Sequence, residues 1–173
     1  MERWIQCALQ NFTITLLLLS VLWMLLALMV TRKTRSKEQI IDTCFSTFLL
    51  FNIGISYLYN FVIHVFFGEI AAQFIGWAQS PFQLEVGFAS LGFAALGVIS
   101  YWSNLSFRAA TVIAPALFLW GAAGGHIYQI IVTHNMAAGN AGAILWTDIL
   151  LPVVGFILLA LQSCYPLKAT GSA

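Results

Sequence analysis

The sequence predicts an all-α integral membrane protein with five transmembrane helices and a short re-entrant or interfacial helix between the second and the third. Of its 173 residues, 61% are hydrophobic and only 8% are charged, whereas soluble domains contain about 25% charged residues. The apolar residues also fall into five long stretches, and one membrane span needs roughly 20 of them. We therefore expect one transmembrane helical bundle, a single domain over residues 1–173.

The hydropathy pattern places the five spans at residues 12–30, 40–67, 82–102, 109–133 and 143–164. Residues 68–80 are apolar but too short to cross a bilayer, and they contain Glu69, Gln73 and Gln79 before the chain reaches Pro81. This combination favours a re-entrant or interfacial helix.

The positions of the cations predict the topology. Four of the seven residues from Thr31 to Lys37 are basic, directly after the first span. With five spans, one side of the membrane receives Arg32, Lys33, Arg35, Lys37, Arg108 and Lys168, and only Arg3 lies on the other. Because Lys and Arg mark the cytoplasmic side, we expect an outer N-terminus and a cytoplasmic C-terminus, in a microbial plasma membrane.

Several classes of protein are not supported by the sequence. No basic run with interleaved aromatic residues indicates a nucleic-acid partner. Cys7, Cys44 and Cys164 have no metal-finger spacing and predict no disulfide framework. Aromatic residues expected to form belts at the membrane surfaces are Trp77, Trp102, Tyr128 and Trp146.

Polar and titratable side chains collect at the predicted outer end of the bundle. Tyr57, Asn60 and His64 recur at i, i+3 and i+7 of the second span, so they share one face, which we expect to point inward. At about 1.5 Å of rise per residue, Glu85 lies about 6 Å inside Pro81. The candidate binding residues are Glu85, His126, Asp148, His64, Glu69, Gln83 and Gln129.

The carboxylates are expected to face the interior, because an ionised carboxylate that faces lipid costs several kcal/mol. Glu85 shares a helix face with Ala89 and Gly92, and small residues favour packing against another helix. Asp148 shares its face with Pro152 and Gly155 in the same way.

Histidines and carboxylates that converge from several helices are typical of a divalent metal site or a proton relay. The candidate metal ligands are Glu85, His126, Asp148 and His64, and a divalent metal ion is the expected cofactor. No HExxH or ExxH spacing is present, so this prediction depends on composition and topology.

Three segments carry a resemblance to a known family: the run Gly76–Gly87 (GWAQSPFQLEVG), the run Gly125–Gln129 (GHIYQ), and Gly139–Gly142 with Asp148. They resemble a family of small, uncharacterised polytopic membrane proteins of microbes. The resemblance implies a membrane protein and brings no known chemistry.

The leading functional hypothesis is an outer-facing polar cavity that binds a metal cation or a small polar solute for transport. One alternative is a membrane-embedded enzyme that uses a metal or acid–base chemistry on a lipid or quinone. Another is an accessory or assembly subunit in which the polar layer only fixes helix packing. The lipid bilayer is the expected partner, together with a second copy of the chain or another membrane subunit.

Overall fold

The computed structural model describes residues 2–30 and 35–167, and these residues form a helical bundle. Five helical segments are long and apolar enough to cross a membrane, namely Phe12–Val30, Lys37–Phe66, Phe82–Ser100, Leu105–Thr133 and Ala138–Cys164. The predicted all-α membrane fold with five spans is therefore confirmed. The helices are α1 (Glu2–Gln10), α2 (Phe12–Val30), α3 (Lys37–Phe48), α4 (Ser56–Phe66), α5 (Gly68–Ile75), α6 (Phe82–Ser100), α7 (Leu105–Thr133), α8 (Ala138–Ala141) and α9 (Ala143–Cys164).

Helix caps explain why some spans begin earlier than hydropathy predicts. Ser36 and Gln39 form a capping box, so α3 starts at Lys37. The Asn104 side chain accepts a hydrogen bond from the Phe107 N–H, so α7 starts at Leu105. Polar caps lower the local hydropathy, yet they stabilise the first helical turn.

The short helix between the second and third spans is α5, and it ends sooner than predicted. Gly76 follows it with φ of 74°, in the left-handed region that glycine adopts without steric cost. The chain then runs without helix until Pro81 and enters α6.

The second span contains a π-helix, Leu49–Ile55, between α3 and α4. A π-helix has one more residue per hydrogen-bonded turn than an α-helix, and it is often found at functional sites. The backbone of α6 crosses this segment closely, because a Cβ at Gly97 would overlap the backbone of Gly54.

The hydrophobic core fills one half of the bundle. Its buried residues come from α3, the π-helix, α4, α6, α7 and α9, and they are Phe45, Phe48, Leu49, Ile53, Tyr57, Ala94, Val112 and Leu151. In the other half, α4 packs mainly on α6, and α7 packs mainly on α9. These two pairs meet at the core and leave space between them towards α5 and α8.

We call the end of the bundle that carries Arg35, Lys37 and Arg108 the basic end, and the opposite end, with α5 and α8, the site end. Arg35 donates a hydrogen bond to Thr43 and Arg108 pairs with Asp42, so these cations lie at one end, as predicted. Arg32, Lys33 and Lys168 lie outside the described residues. Which end faces the cytoplasm remains a prediction.

The first span closes one side of the site end. Asn11 alone separates α1 from α2, and its N–H donates to the Cys7 carbonyl. The Tyr59 hydroxyl of α4 donates to the Leu9 carbonyl of α1, and the Thr147 hydroxyl of α9 donates to the Thr13 hydroxyl of α2. The start of α2 therefore links α4 to α9.

Candidate functional site

A large cavity occupies the site end between the α4–α6 pair and the α7–α9 pair. Its volume is about 1150 Å³. Residues of α1, α2, α5 and the α5–α6 connection complete its walls. We call it the site cavity.

The site cavity is lined mainly by apolar side chains, with polar groups at a few positions. It extends towards the core as far as Asn52 and Leu151. Some lining residues are also highly exposed, such as Phe82 on α6 (68%) and Leu117 on α7 (65%). At these two residues the lining of the cavity reaches the exposed surface of the bundle.

Asn140 on α8 organises the polar wall of the site cavity. Its Oδ1 atom accepts a hydrogen bond from Trp77 Nε1 and lies 2.8 Å from His126 Nδ1. Its Nδ2 atom donates to the backbone carbonyls of His126 and Asn135. Asn140 is fully buried, so these four contacts replace the water that its amide would otherwise bind.

This network determines how His126 is protonated. Carbonyl groups only accept hydrogen bonds and an indole N–H only donates, so the Asn140 amide has one chemically sensible orientation. Its Oδ1 atom needs a donor from His126, and Nδ1 therefore carries a proton. In the neutral imidazole, Nε2 is then the acceptor.

Asp148 lies opposite this acceptor. The distance from His126 Nε2 to Asp148 Oδ2 is 3.8 Å, too long for a hydrogen bond. Both residues are only 5% exposed, and both line the site cavity. Within the part of the chain that the structure describes, no residue donates a hydrogen bond to the Asp148 carboxyl.

A second polar group lies across the cavity. His64 Nδ1 on α4 makes a hydrogen bond with Gln83 Oε1 on α6. Asn60, one turn away on α4, donates to Ser90 on α6 at 2.9 Å. The predicted inward face of Tyr57, Asn60 and His64 is thus confirmed, since all three line the cavity.

The floor of the cavity contains a polar atom without a partner. Asn52, in the π-helix, donates from Nδ2 to Ser20 Oγ and to the Phe48 carbonyl. Its buried Oδ1 atom has no hydrogen-bond partner among the described residues. A small adjoining cavity of about 20 Å³ is large enough for one water molecule.

Four of the seven predicted binding residues line the site cavity: His64, Gln83, His126 and Asp148. The other three are Glu69, Glu85 and Gln129, and they do not. Glu69 and Glu85 are exposed, while the Gln129 side chain accepts a hydrogen bond from Thr133.

The predicted inward orientation of Glu85 is wrong. Glu85, Ala89 and Gly92 form an exposed face of α6. A second set of small residues, Gly87, Ser90, Ala94 and Gly97, forms the buried face instead, since these residues pack against the second span.

The predicted metal set of Glu85, His126, Asp148 and His64 is consequently not assembled. Among the described residues, no three His, Cys, Asp or Glu side chains lie close enough together to hold a metal ion. The exposed position of Glu85 removes one of the two carboxylates from that set.

Asn140 was not among the predicted binding residues, and Trp77 has a contact beyond its predicted place in an aromatic belt. Asn140 lies between the fourth and fifth predicted spans, yet it is buried, and its neighbour Gly139 packs against Phe74 so closely that a Cβ would not fit. Trp77, Trp102, Tyr128 and Trp146 are all exposed, as expected of belt residues, and Trp77 also donates from its indole N–H to Asn140.

A second buried polar cluster lies at the basic end. Arg108 Nη1 pairs with Asp42 Oδ1 at 2.6 Å and also donates to Gln162 Oε1. The remaining guanidinium donors bind the backbone carbonyls of Ser100 and Tyr101. Gln162 in turn donates to Asp42. This cluster satisfies its own charges, so it is a structural link among α3, α7 and α9.

Comparison with known proteins assigns the family. Residues 10–168 match the family of unknown function DUF6790. The chain belongs to the DUF6790 family. The resemblance to an uncharacterised family is thus confirmed, and the match takes in all five spans of this DUF6790 chain. No curated protein and no solved structure matches it.

Proposed function

We propose that this membrane protein binds an amphipathic small molecule, which enters the site cavity from the bilayer. The apolar body of the ligand lies along the apolar walls, and its polar head reaches His126 and Asp148. The proposed ligand is lipid-like, as in the enzyme hypothesis, and it is bound in a cavity, as in the transport hypothesis. Its binding requires no metal.

The buried Asp148 carboxyl is the observation that carries the proposal. A carboxyl group without a hydrogen-bond donor is costly in an apolar environment. Asp148 is 5% exposed, faces the cavity, and has no donor among the described residues. A ligand head that donates to this carboxyl offsets the cost, and a functional site explains why the residue lies there.

The size and composition of the cavity support an amphipathic ligand. Small-molecule sites usually measure about 300–1,000 Å³ and are mainly apolar with a few placed polar groups. The site cavity has about 1150 Å³, apolar walls, and polar groups at His64, Gln83, His126 and Asp148. A small, fully polar solute would leave most of these walls without contact.

We place the mouth for entry from the membrane between α6 and α7. Phe82 and Leu117 line the cavity and are exposed on the surface of spanning helices, which faces lipid. At the other end, the lining stops at Asn52 and Leu151, where the packed core begins. This arrangement favours a binding pocket over a continuous pathway across the bundle.

Two glycines of α7 provide a matched test. Gly121 lines the cavity, Gly124 does not, and a Cβ at either position would meet open space. We expect Gly121→Trp to fill the mouth and Gly124→Trp to point its indole away from the cavity.

Native mass spectrometry of protein purified in mild detergent measures the small molecules that remain bound. The proposal predicts a bound amphiphile on the wild-type protein and on Gly124→Trp, and at least about tenfold less on Gly121→Trp. Equal occupancy of the two variants, or no bound molecule on the wild-type protein, would contradict it.

A further inference from the structure

This inference rests on the proposed function. The hydrogen-bond acceptors in the site cavity indicate which chemical group the head of the ligand carries. Asn140 holds a proton on His126 Nδ1, so Nε2 of the neutral imidazole presents a lone pair. Asp148 Oδ2, 3.8 Å away, is also an acceptor when the carboxyl is ionised. With His126 neutral and Asp148 ionised, two acceptors face each other, and neither can donate to the other.

A group with at least two N–H donors satisfies both acceptors at once. Hydrogen bonds to nitrogen and oxygen are about 2.7–3.2 Å long, so one donor atom beside the His126–Asp148 line reaches both within this range. A hydroxyl group has a single proton and satisfies only one of the two. A quaternary ammonium carries charge but has no N–H to donate.

The charges around the cavity favour a cation. Among the described residues that line it, Asp148 is the only acidic one, and none is Lys or Arg. The Trp77 ring, 5.3 Å from the His126 ring between centroids, also lines the cavity. An aromatic ring beside His126 adds a favourable surface for an ammonium group.

We propose that the ligand head is a primary or secondary ammonium, which donates one N–H to His126 Nε2 and another to Asp148 Oδ2. The ligand class is thus a long-chain amine or an amine-headed lipid. Asn140 acts as a positioning residue, because it fixes the imidazole tautomer that accepts from the head.

The test compares ligands that share one alkyl chain and differ only in the head. Dodecylamine, dodecyltrimethylammonium, dodecanol and dodecanoate are titrated into the wild-type protein in nanodiscs, with empty nanodiscs as the correction for partitioning. We expect dodecylamine to bind at least about tenfold more tightly than each of the others, since hydrogen bonds to charged groups contribute more than neutral ones.

A variant pair locates the preference. Asp148→Asn removes the anionic acceptor and is expected to reduce the preference for dodecylamine over dodecanol to about twofold or less. Glu85→Gln makes the same chemical change on the exposed face of α6 and is expected to leave the preference unchanged.

The outcomes separate the inference from the proposed function. Equal affinity for dodecylamine and dodecyltrimethylammonium, or for dodecylamine and dodecanol, would overturn the ammonium head while leaving an amphiphile site in place. Binding of none of the four ligands above the empty nanodiscs would overturn both. The comparison of heads uses the wild-type protein, so it stands even where a variant fails to fold.

Discussion

Among single residues, Asn140 has the largest share of the site's hydrogen bonds. It connects Trp77 after α5, His126 on α7 and the backbone at Asn135. A buried asparagine with all of its contacts made by protein atoms stabilises one arrangement of these segments. The same contacts orient His126 towards Asp148, so stability and site geometry depend on one side chain.

Replacement of Asn140 by alanine is expected to destabilise the fold by about 3 kcal/mol, because each buried polar group left without a partner costs about 1–3 kcal/mol. Unfolding in sodium dodecyl sulfate, followed by circular dichroism, measures the change. The control is Gln73→Ala, an exposed amide on α5, which should change stability by less than about 0.5 kcal/mol. Similar values for the two variants would show that the Asn140 network contributes little.

Unlike Asn140, Asp148 is not expected to stabilise the fold. Asp148→Asn replaces a buried carboxyl that lacks a donor with a neutral amide, so the free energy of unfolding should stay the same or rise by about 1 kcal/mol. Ligand binding should weaken in the same protein, as at sites where function and stability conflict. A loss of more than about 2 kcal/mol in the unfolding assay would instead assign Asp148 a structural role, as the accessory-subunit hypothesis requires.

Among the elements, the crossing of α6 with the second span fixes the shape of the cavity. The contact of Gly97 with Gly54 brings the two backbones close together near the core. The π-helix lies at this crossing and places Asn52 at the cavity floor. Towards the site end, His64 and Gln83 supply polar groups to the cavity.

Gly97→Ala should destabilise the protein by about 1–3 kcal/mol, the usual cost of overpacking, because the new Cβ overlaps the Gly54 backbone. Gly92→Ala lies on the same helix, where a Cβ meets open space, and it should be neutral or slightly stabilising. Thermal unfolding of the two variants side by side tests this. Equal melting temperatures would contradict the close crossing.

The basic end depends on a different kind of contact between elements. Asp42→Ala leaves the buried Arg108 guanidinium without its counter-charge, and such losses cost about 3–5 kcal/mol in buried pairs. We expect the lower end of this range, since the Asp42 side chain is 27% exposed. The same unfolding assay on Glu69→Ala, an exposed carboxylate at the site end, provides the control. A difference below about 1 kcal/mol would show that the cluster is dispensable.

Across the whole molecule, a packed basic half supports an open site half. The spans were predictable because a long apolar stretch has few structural alternatives in a membrane. The π-helix was not, since Leu49–Ile55 has the composition of any apolar helix. The pairing of Asp42 with Arg108 was not predicted either, because it joins residues 66 positions apart.

Part of the candidate site was also predictable from the sequence. His126, Asp148, His64 and Gln83 were found because polar groups inside a span rarely face lipid. Glu85 was misassigned because α6 has small residues on two faces, and only the contact with Gly54 decides which face packs. Asn140 could not be recognised, since its burial depends on α5 and α8 packing together. Assembly with a second copy or another subunit stays a prediction.

Photolabelling tests the central claim, an amphiphile in the site cavity, most directly. A long-chain amine that carries a diazirine on its alkyl chain is added to the protein in nanodiscs, illuminated, and mapped by peptide mass spectrometry. We predict labelling concentrated on residues 82–86 and 117–126, and its suppression by excess dodecylamine. Labelling spread over exposed α2 residues such as Leu18 and Leu22, unchanged by the competitor, would contradict the account.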